Sequence, residues 1–181
     1  MCGIVGQVNF DNSPVSPVVL KRMTDVIEHR GPDGEGHWIK EGVGLGHRRL
    51  SIIDLSPAGH QPMISSDNRY VLTYNGEIYN FRELRTELEA KGYCFRSQTD
   101  SEVVLYSLAE WGSDALLKFN GMFALAFWDQ KEKTLLIGRD RYGIKPVYFY
   151  QSHKTFLFGS EQKSIFEEPS FDKKINQKAL L

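Results

Sequence analysis

The first residues of the chain place a thiol beside the amino terminus. Cys2 follows Met1, and a small residue at the second position permits removal of the initiator methionine. Removal would leave an α-amine and a thiol on one residue. An α-amine has a pKa of about 7.7 to 8.0 and a thiol one of about 8.5, so the neutral amine can accept the thiol proton near neutral pH. This pair predicts a nucleophile that carries its own base and needs no histidine.

A cysteine close to a first strand is by itself more often a packing residue than a nucleophile. Support has to come from other parts of the sequence. Five further segments combine charged, amide and glycine residues: HRGPD at 29–33, RRLSIID at 48–54, YNGEIYN at 74–80, TDSE at 99–102 and GRDRYGIKP at 138–146.

The elements that must position these segments begin with a strand. β-branched and aromatic residues at 3–10 predict a strand that starts directly after Cys2. Ser16 and Pro17 then predict the start of an amphipathic helix, which ends at Gly31 and Pro32. Short apolar runs between glycines from 34 to 54, and a further run at 70–74, predict more strands.

Two further helices are predicted in the middle of the chain. Asn80 with Glu83, and Thr99 with Glu102, have the spacing of capping boxes, and Gly92 closes the first of these helices. The runs MFALAFWD, TLLIGRD, VYFY and TFLFGSE then follow at hairpin spacing and predict an antiparallel meander. Runs of consecutive apolar residues indicate sheets covered by other layers, so we expect a layered α+β domain.

Composition excludes several classes of function. The 181 residues carry 22 basic and 23 acidic side chains, a formal charge of -1, which gives no basis for binding nucleic acid or an acidic membrane. No apolar run approaches the roughly 20 residues of a membrane span, and no basic and apolar leader is present, so we expect a cytoplasmic protein. We expect residues 1–181 to form one domain, cut from a longer chain because the Lys-rich end carries no cap.

MCGIVG at the start, followed by the five segments in this order, resembles the class II glutamine amidotransferases. Among these enzymes it is most similar to the amino-terminal glutaminase domain of asparagine synthetases. The resemblance covers nearly the whole chain, and the ordered set is far more specific than any single motif. Glucosamine-6-phosphate synthase and amidophosphoribosyltransferase look less similar around RGPD, NGEIYN and GIKPVYF.

The resemblance implies an α+β fold, the four-layer αββα N-terminal nucleophile hydrolase sandwich of mainly antiparallel sheets. It also implies that Cys2, Asn75 and Gly76 are catalytic. Asn75 and Gly76 would donate to the developing oxyanion, and glycine would let the backbone approach the substrate. Taken alone, Asn-Gly would predict a hairpin turn.

The resemblance further implies how glutamine is bound. Arg49 would hold the α-carboxylate, a task suited to a planar guanidinium. Asp100 would pair with the α-ammonium, although its place at a helix start also fits a capping role. Ile52, Ile53 and Glu77 occupy positions at which the family contacts substrate.

The implied reaction is hydrolysis of glutamine to glutamate and ammonia through a Cys2 thioester. The ammonia would serve ATP-dependent amidation of aspartate to asparagine by a synthetase domain or chain that these residues do not contain. This half-reaction needs no cofactor; ATP and magnesium belong with the synthetase domain. Alternatives are the same glutaminase serving another carboxylate such as a sugar acid, a non-catalytic glutamine-binding module, and an N-terminal nucleophile acylase acting on another amide.

Other polar residues receive structural assignments. The five histidines show no metal-ligand spacing, so we predict no metal site. Cys94, between Tyr93 and Phe95, is predicted to be a packed and inert thiol. The charged residues of HRGPD and GRDRYG are predicted to build loops around the site rather than to touch glutamine.

Overall fold

The described strands pair into two antiparallel sheets. The computed structural model describes residues 1–51, 57–171 and 173. The first sheet contains, in spatial order, β2 (Gly34–Lys40), β3 (Val43–Arg49), β1 (Gly3–Asn9), β9 (Thr155–Gly159) and β8 (Tyr148–Gln151). The second sheet contains, in spatial order, β4 (Met63–Ile64), β5 (Tyr70–Ile78), β6 (Gly121–Asp129) and β7 (Thr134–Arg139).

Helices cover the outer faces of both sheets. The helices are α1 (Pro17–Asp25), α2 (Phe81–Ala90), α3 (Asp100–Trp111) and the short α4 (Ala115–Lys118) and α5 (Gln162–Ile165). One apolar cluster joins α1 to the first sheet, a second lies between the sheets, and a third joins the second sheet to α2 and α3. The layers are therefore αββα, as predicted.

The helix starts follow local side-chain chemistry. Ser16 caps α1 by accepting a hydrogen bond from the Val19 N–H (3.5 Å), and Thr99 caps α3 by accepting one from the Glu102 N–H (3.3 Å). The prediction for Asn80 was wrong, because its side chain makes no capping bond to α2. It instead accepts a hydrogen bond from the backbone N–H of Asn120 (2.9 Å). The α1 helix also ends at Asp25, earlier than predicted.

The predicted meander was wrong. β6 and β7 form a hairpin in the second sheet, whereas β8 and β9 belong to the first sheet, where β9 pairs with β1. Hairpin spacing identifies neighbouring strands, but it cannot show that the chain crosses between sheets after β7. The crossing occurs in the loop at residues 140–147.

A single buried carboxylate organises this loop. Asp140 Oδ1 accepts from the N–H groups of Tyr142 (3.1 Å) and Ile144 (2.9 Å), and Oδ2 accepts from those of Phe123 (3.2 Å) and Lys145 (3.0 Å). Burial raises the pKa of Asp140, but the backbone N–H groups lower it more, so the net pKa lies below the usual value. Asp140 thereby fixes the crossing loop to β6.

In the part of the chain that the structure describes, no helix has the length and apolar character needed to cross a bilayer.

Candidate active site

The cleft of interest opens where β1, β3, β5 and α3 meet, and its cavity volume is about 120 Å³. Its lining includes each predicted site residue that the structure describes: Cys2, Arg49, Asn75, Gly76, Glu77 and Asp100. Ile52 and Ile53, also predicted to contact substrate, lie outside the described residues. Segments far apart in sequence therefore converge on one cavity.

Cys2 lies immediately before β1, and its sulfur faces the end of β3. Its Sγ accepts a hydrogen bond from the Leu50 N–H (3.3 Å) and lies 3.6 Å from the Leu50 carbonyl oxygen. Arg30 Nε donates to the Cys2 carbonyl (3.0 Å), and Arg30 also pairs with Glu161 (3.2 Å). Arg30, itself paired with Glu161, thereby holds the Cys2 carbonyl.

The environment of Cys2 keeps the resting thiol protonated. Burial raises the pKa of Cys2, and the Leu50 N–H, the positive chain terminus and Arg49 offset only part of that increase. A protonated thiol is a poor nucleophile, so attack requires a base within reach.

Asn75 and Gly76 lie inside β5, where they pair with Ala124 and Phe123 of β6. The turn that Asn-Gly would predict alone is therefore wrong. Phe123 uses its N–H and its carbonyl on the β7 side, in hydrogen bonds with Asp140 (3.2 and 2.8 Å). Directly opposed residues in an antiparallel pair exchange both hydrogen bonds or neither. The Gly76 N–H consequently points away from β6, toward the other edge of β5.

That edge of β5 presents alternate N–H groups to the cleft. The Tyr74 N–H donates to Gln61 Oε1 (2.6 Å), and the Ile78 N–H donates to Asp100 Oδ2 (3.0 Å). The Gly76 N–H lies between these two occupied donors. Beside it, Asn75 Nδ2 is buried and has no hydrogen-bond partner among the described residues. Two adjacent donors are thus available for an oxyanion, the arrangement that stabilises a tetrahedral intermediate.

The packing of β5 against β6 also requires glycine at position 76. A Cβ there would overlap the Met122 carbonyl oxygen and the Phe123 Cα on β6. The close approach between the two strands therefore demands glycine.

Asp100 has the surroundings of an ammonium-binding residue. Its carboxylate is 4% exposed, and Oδ2 accepts from the Tyr74 hydroxyl (2.8 Å) and from the Ile78 N–H. Burial raises its pKa despite these donors. Thr99 is the cap of α3, so the capping alternative for Asp100 was wrong. No ion pair forms at Asp100 among the described residues, and a buried carboxylate of this kind is stabilised by a bound cation.

Arg49, at the end of β3, supplies the opposite charge. Its guanidinium lies against Gly59, where a Cβ would overlap it. Asp33 fixes the backbone on both sides of Leu50: its N–H donates to the Arg49 carbonyl (3.0 Å), and its carboxylate accepts from the Ser51 N–H (2.8 Å). A guanidinium and a carboxylate in one cleft complement an amino-acid zwitterion.

Glu77 is the third charged residue predicted at the site. It follows Gly76 in β5, lines the cleft and is partly exposed. Its charge contributes to the raised pKa values of Tyr74 and Asp100, after burial and the nearer groups.

Two residues of the cleft were missed by sequence reasoning. Gln61 bridges β5 to α3, because its Nε2 also reaches the Ser101 hydroxyl (3.4 Å). Lys145 follows GRDRYG, whose charged residues were predicted to build loops; no role was predicted for Lys145, which lines the cleft and is 6% exposed. The sequence carries no signal for this position, since a lysine in a polar loop is normally solvated.

Cys94 is the second of the two cysteines in the sequence. Cys94 is exposed, so the prediction of a packed thiol was wrong; its aromatic neighbours turn toward α3 while the sulfur does not. Within residues 1–51, 57–171 and 173, no group of three or more His, Cys, Asp and Glu side chains is placed to hold a metal ion.

His47 joins the two sheets beneath the site. Its Nε2 lies 3.1 Å from the Tyr74 carbonyl oxygen, and its Nδ1 is buried without a partner among the described residues. Burial lowers the pKa of His47 to about 3, although the bond to Tyr74 raises it slightly. The ring is therefore neutral at physiological pH and donates through Nε2.

Two stacked antiparallel sheets between helices, with a cysteine at the mouth of the first strand, define the N-terminal nucleophile hydrolases. A model of the glutamine amidotransferase domain family matches residues 1–181, and the chain belongs to this family. Both predictions, of the fold and of the class II amidotransferase family, are confirmed.

The relatives of known sequence are longer than this chain. Asparagine synthetases [glutamine-hydrolyzing] 3 and 1 of Bacillus subtilis are 40% and 42% identical to it over 99% of its length. The chain spans 30% and 29% of the lengths of these two relatives. An amidase of Gibberella zeae is 36% identical over 91% of the chain.

A solved structure confirms the fold. Glutamine phosphoribosylpyrophosphate amidotransferase from B. subtilis, complexed with ADP and GMP, superposes with a TM-score of 0.76 at 19% identity. The superposition covers 91% of this chain and 43% of that one.

The neutral state of His47 predicts a pH-dependent stability. Its folded pKa lies below the value of about 6.5 of an unfolded histidine, so the unfolded chain takes up the proton first as pH falls. The contribution of His47 to the free energy of unfolding is complete above about pH 6.5 and is lost progressively toward about pH 3. Between about pH 7 and about pH 5 we expect a loss of roughly 2 kcal/mol in the free energy of unfolding.

Urea unfolding at these two pH values would measure the effect. His47→Gln keeps a donor for the Tyr74 carbonyl but cannot titrate. Between about pH 7 and about pH 5 its free energy of unfolding should therefore fall by about 2 kcal/mol less than that of the wild type. His153→Gln, at an exposed position, should retain the wild-type loss. Equal losses in the wild type and His47→Gln would contradict the buried neutral imidazole.

Proposed function

We propose that the chain, once Met1 is removed, hydrolyses the side-chain amide of glutamine with Cys2 as nucleophile. The observation that carries this proposal is the pair of open donors, Asn75 Nδ2 and the Gly76 N–H, in the same cleft as the Cys2 sulfur. The family match and the asparagine synthetase relatives support it.

The first half of the reaction makes a thioester. The Cys2 α-amine accepts the thiol proton while the sulfur bonds to the carboxamide carbon, and the carbonyl oxygen becomes an oxyanion held by Asn75 and Gly76. The carbon–nitrogen bond then breaks, and the amine returns its proton to the departing ammonia. The raised pKa of the Cys2 thiol makes this built-in base necessary.

The second half releases glutamate. The α-amine takes a proton from water, the resulting hydroxide adds to the thioester, and the same two donors hold the second oxyanion. The carbon–sulfur bond then breaks, and Cys2 regains its proton. As proposed, these steps use no metal and no organic cofactor.

Recognition of the substrate is assigned to the charged residues of the cleft. Arg49 binds the α-carboxylate and Asp100 the α-ammonium, which places the side-chain amide near Cys2. Glu77, Ile52 and Ile53 are proposed to complete the contacts. The guanidinium and the carboxylate complement the two charges of a free amino acid, so the cleft favours such a substrate over an acyl substrate.

The fate of the ammonia is proposed from the relatives. Both B. subtilis relatives are named as glutamine-hydrolysing asparagine synthetases. We infer that residues 1–181 act as one type 2 amidotransferase domain in the cytoplasm and pass ammonia to an ATP- and magnesium-dependent synthetase domain that amidates aspartate. A different carboxylate, such as a sugar acid, is the second candidate acceptor.

Glutamate release by purified protein tests the glutaminase directly. Intact mass establishes that Met1 is absent, and glutamine then yields equal amounts of glutamate and ammonia. Cys2→Ala should lose at least about 10³-fold in kcat, because no other group can form the thioester. The exposed Cys94→Ala should retain wild-type activity.

The same assay addresses the competing functions. Glutamine binding by calorimetry without Cys2-dependent glutamate release would favour a binding module. Faster hydrolysis of an amide lacking the α-amino and α-carboxylate groups would favour an acylase. Wild-type activity in protein that retains Met1 would contradict the α-amine as base.

Asn75 provides a separate prediction for the oxyanion. Asn75→Ala removes one of two donors that act in the transition state, so kcat should fall about 10² to 10³-fold while KM changes little. Steady-state kinetics with glutamine would measure both constants. Asn68→Ala alters an amide in the turn before β5, outside the cleft, and should leave both unchanged. A large rise in KM with normal kcat for Asn75→Ala would assign this residue to ground-state binding.

An isotope experiment identifies the acceptor. Glutamine labelled with ¹⁵N at the side-chain amide would be supplied with ATP, magnesium and aspartate to the chain joined to a synthetase domain. We expect ¹⁵N-asparagine by mass spectrometry, and none with Cys2→Ala. Label transferred to a sugar acid but not to aspartate would establish the second candidate acceptor instead.

A further inference from the structure

Lys145 places a buried ammonium in the glutamine cleft without a carboxylate partner. Its side chain is 6% exposed and lines the same cavity as Cys2. No ion pair forms at Lys145 among residues 1–51, 57–171 and 173. The contact of its Nζ is with the Met1 thioether sulfur, at 3.3 Å. Buried lysines are normally paired, because desolvating an ammonium costs several kcal/mol.

The position of this charge is set by a constrained loop. Asp140 binds the Lys145 backbone N–H with the same oxygen that accepts from the Phe123 N–H on β6. Phe123 is in turn the residue paired with Gly76. The Asp140 carboxylate is occupied by backbone donors and forms no salt bridge with the Lys145 ammonium in the described chain. The loop thereby holds Lys145 at the cleft and leaves its charge without a neutralising anion.

Met1 links this ammonium to the nucleophile. Its sulfur contacts Lys145 Nζ, and its carbonyl carbon is bonded to the Cys2 nitrogen. When Met1 is removed, Lys145 loses its sulfur contact and remains in the same cavity as the new α-amine of Cys2. We propose that Lys145 then acts as a positioning residue that keeps the Cys2 α-amine in its neutral, proton-accepting form. This inference rests on the proposed glutaminase function.

The surrounding charges show why such a residue is needed. The other charged and titratable groups that line the cleft are the Cys2 thiol, Arg49 from β3, Tyr74 and Glu77 from β5, and Asp100 from α3. Arg30, which is paired with Glu161, also binds the Cys2 carbonyl. Asp100 and Glu77 favour a protonated amine, which cannot accept the thiol proton. Arg49 opposes these carboxylates in the free protein and is proposed to bind the substrate carboxylate. Arg30 is paired with Glu161 (3.2 Å), so among the described residues of the cleft Lys145 is the cation that opposes the two carboxylates both before and after substrate binds.

The pH dependence of kcat/KM tests the proposal in mature protein. Lys145→Met keeps the length of the side chain but removes the charge, so the acidic limb should move upward by about one pH unit. At about pH 6 the rate should fall about tenfold, and at about pH 9 it should stay within about twofold of the wild type. Lys145→Arg should restore the wild-type profile. Lys133→Met, at an exposed ion pair with Glu41, should have no effect.

A second measurement does not depend on turnover. In a Cys2→Ser background the chain keeps a free α-amine, whose reaction with acetic anhydride can be followed against pH by mass spectrometry of the amino-terminal peptide. Adding Lys145→Met should raise the pKa of this amine by about one unit. An unchanged titration would overturn the proposal even if the wild type hydrolyses glutamine, as would an equal loss of activity at every pH. Absence of wild-type activity would count against the proposed function only.

Discussion

The direction of the backbone N–H groups along β5 is the constraint on which the site depends. Alternate residues of a strand point their N–H groups to opposite edges, so the pairing of Gly76 with Phe123 determines that the Gly76 N–H faces the cleft. By the same alternation, the N–H groups of Tyr74 and Ile78 point to this edge, where they donate to Gln61 and Asp100. A shift of one residue in register would turn the oxyanion donor toward β6.

The other elements align the nucleophile with this edge. β1 pairs with β3, which brings Leu50 to the Cys2 sulfur, and His47 joins β3 to β5 through the Tyr74 carbonyl. Both sheets therefore contribute residues to the cleft, and one of the polar contacts between them depends on a histidine that stays neutral. Asp140 fixes the crossing loop to β6, and this loop carries Lys145.

The sequence predicted which distant residues come together, because these residues carry distinctive chemistry. Cys2, Arg49 and Asp100 meet in one cleft as predicted. Local patterns failed where long-range contacts decide: the strand hairpins divide between two sheets, and the Asn80 side chain binds a distant backbone group instead of capping α2. Lys145 could not be identified, since only the three-dimensional course of the loop buries it.

The tight contact between Gly76 and β6 restricts which substitutions this chain can accept. Any side chain at 76 would collide with the Met122 carbonyl, so a substitution would separate two central strands as well as displace an oxyanion donor. Catalysis and sheet assembly therefore cannot be altered independently there. A change of substrate would instead involve the proposed substrate-binding residues, such as Arg49, whose guanidinium lies against Gly59.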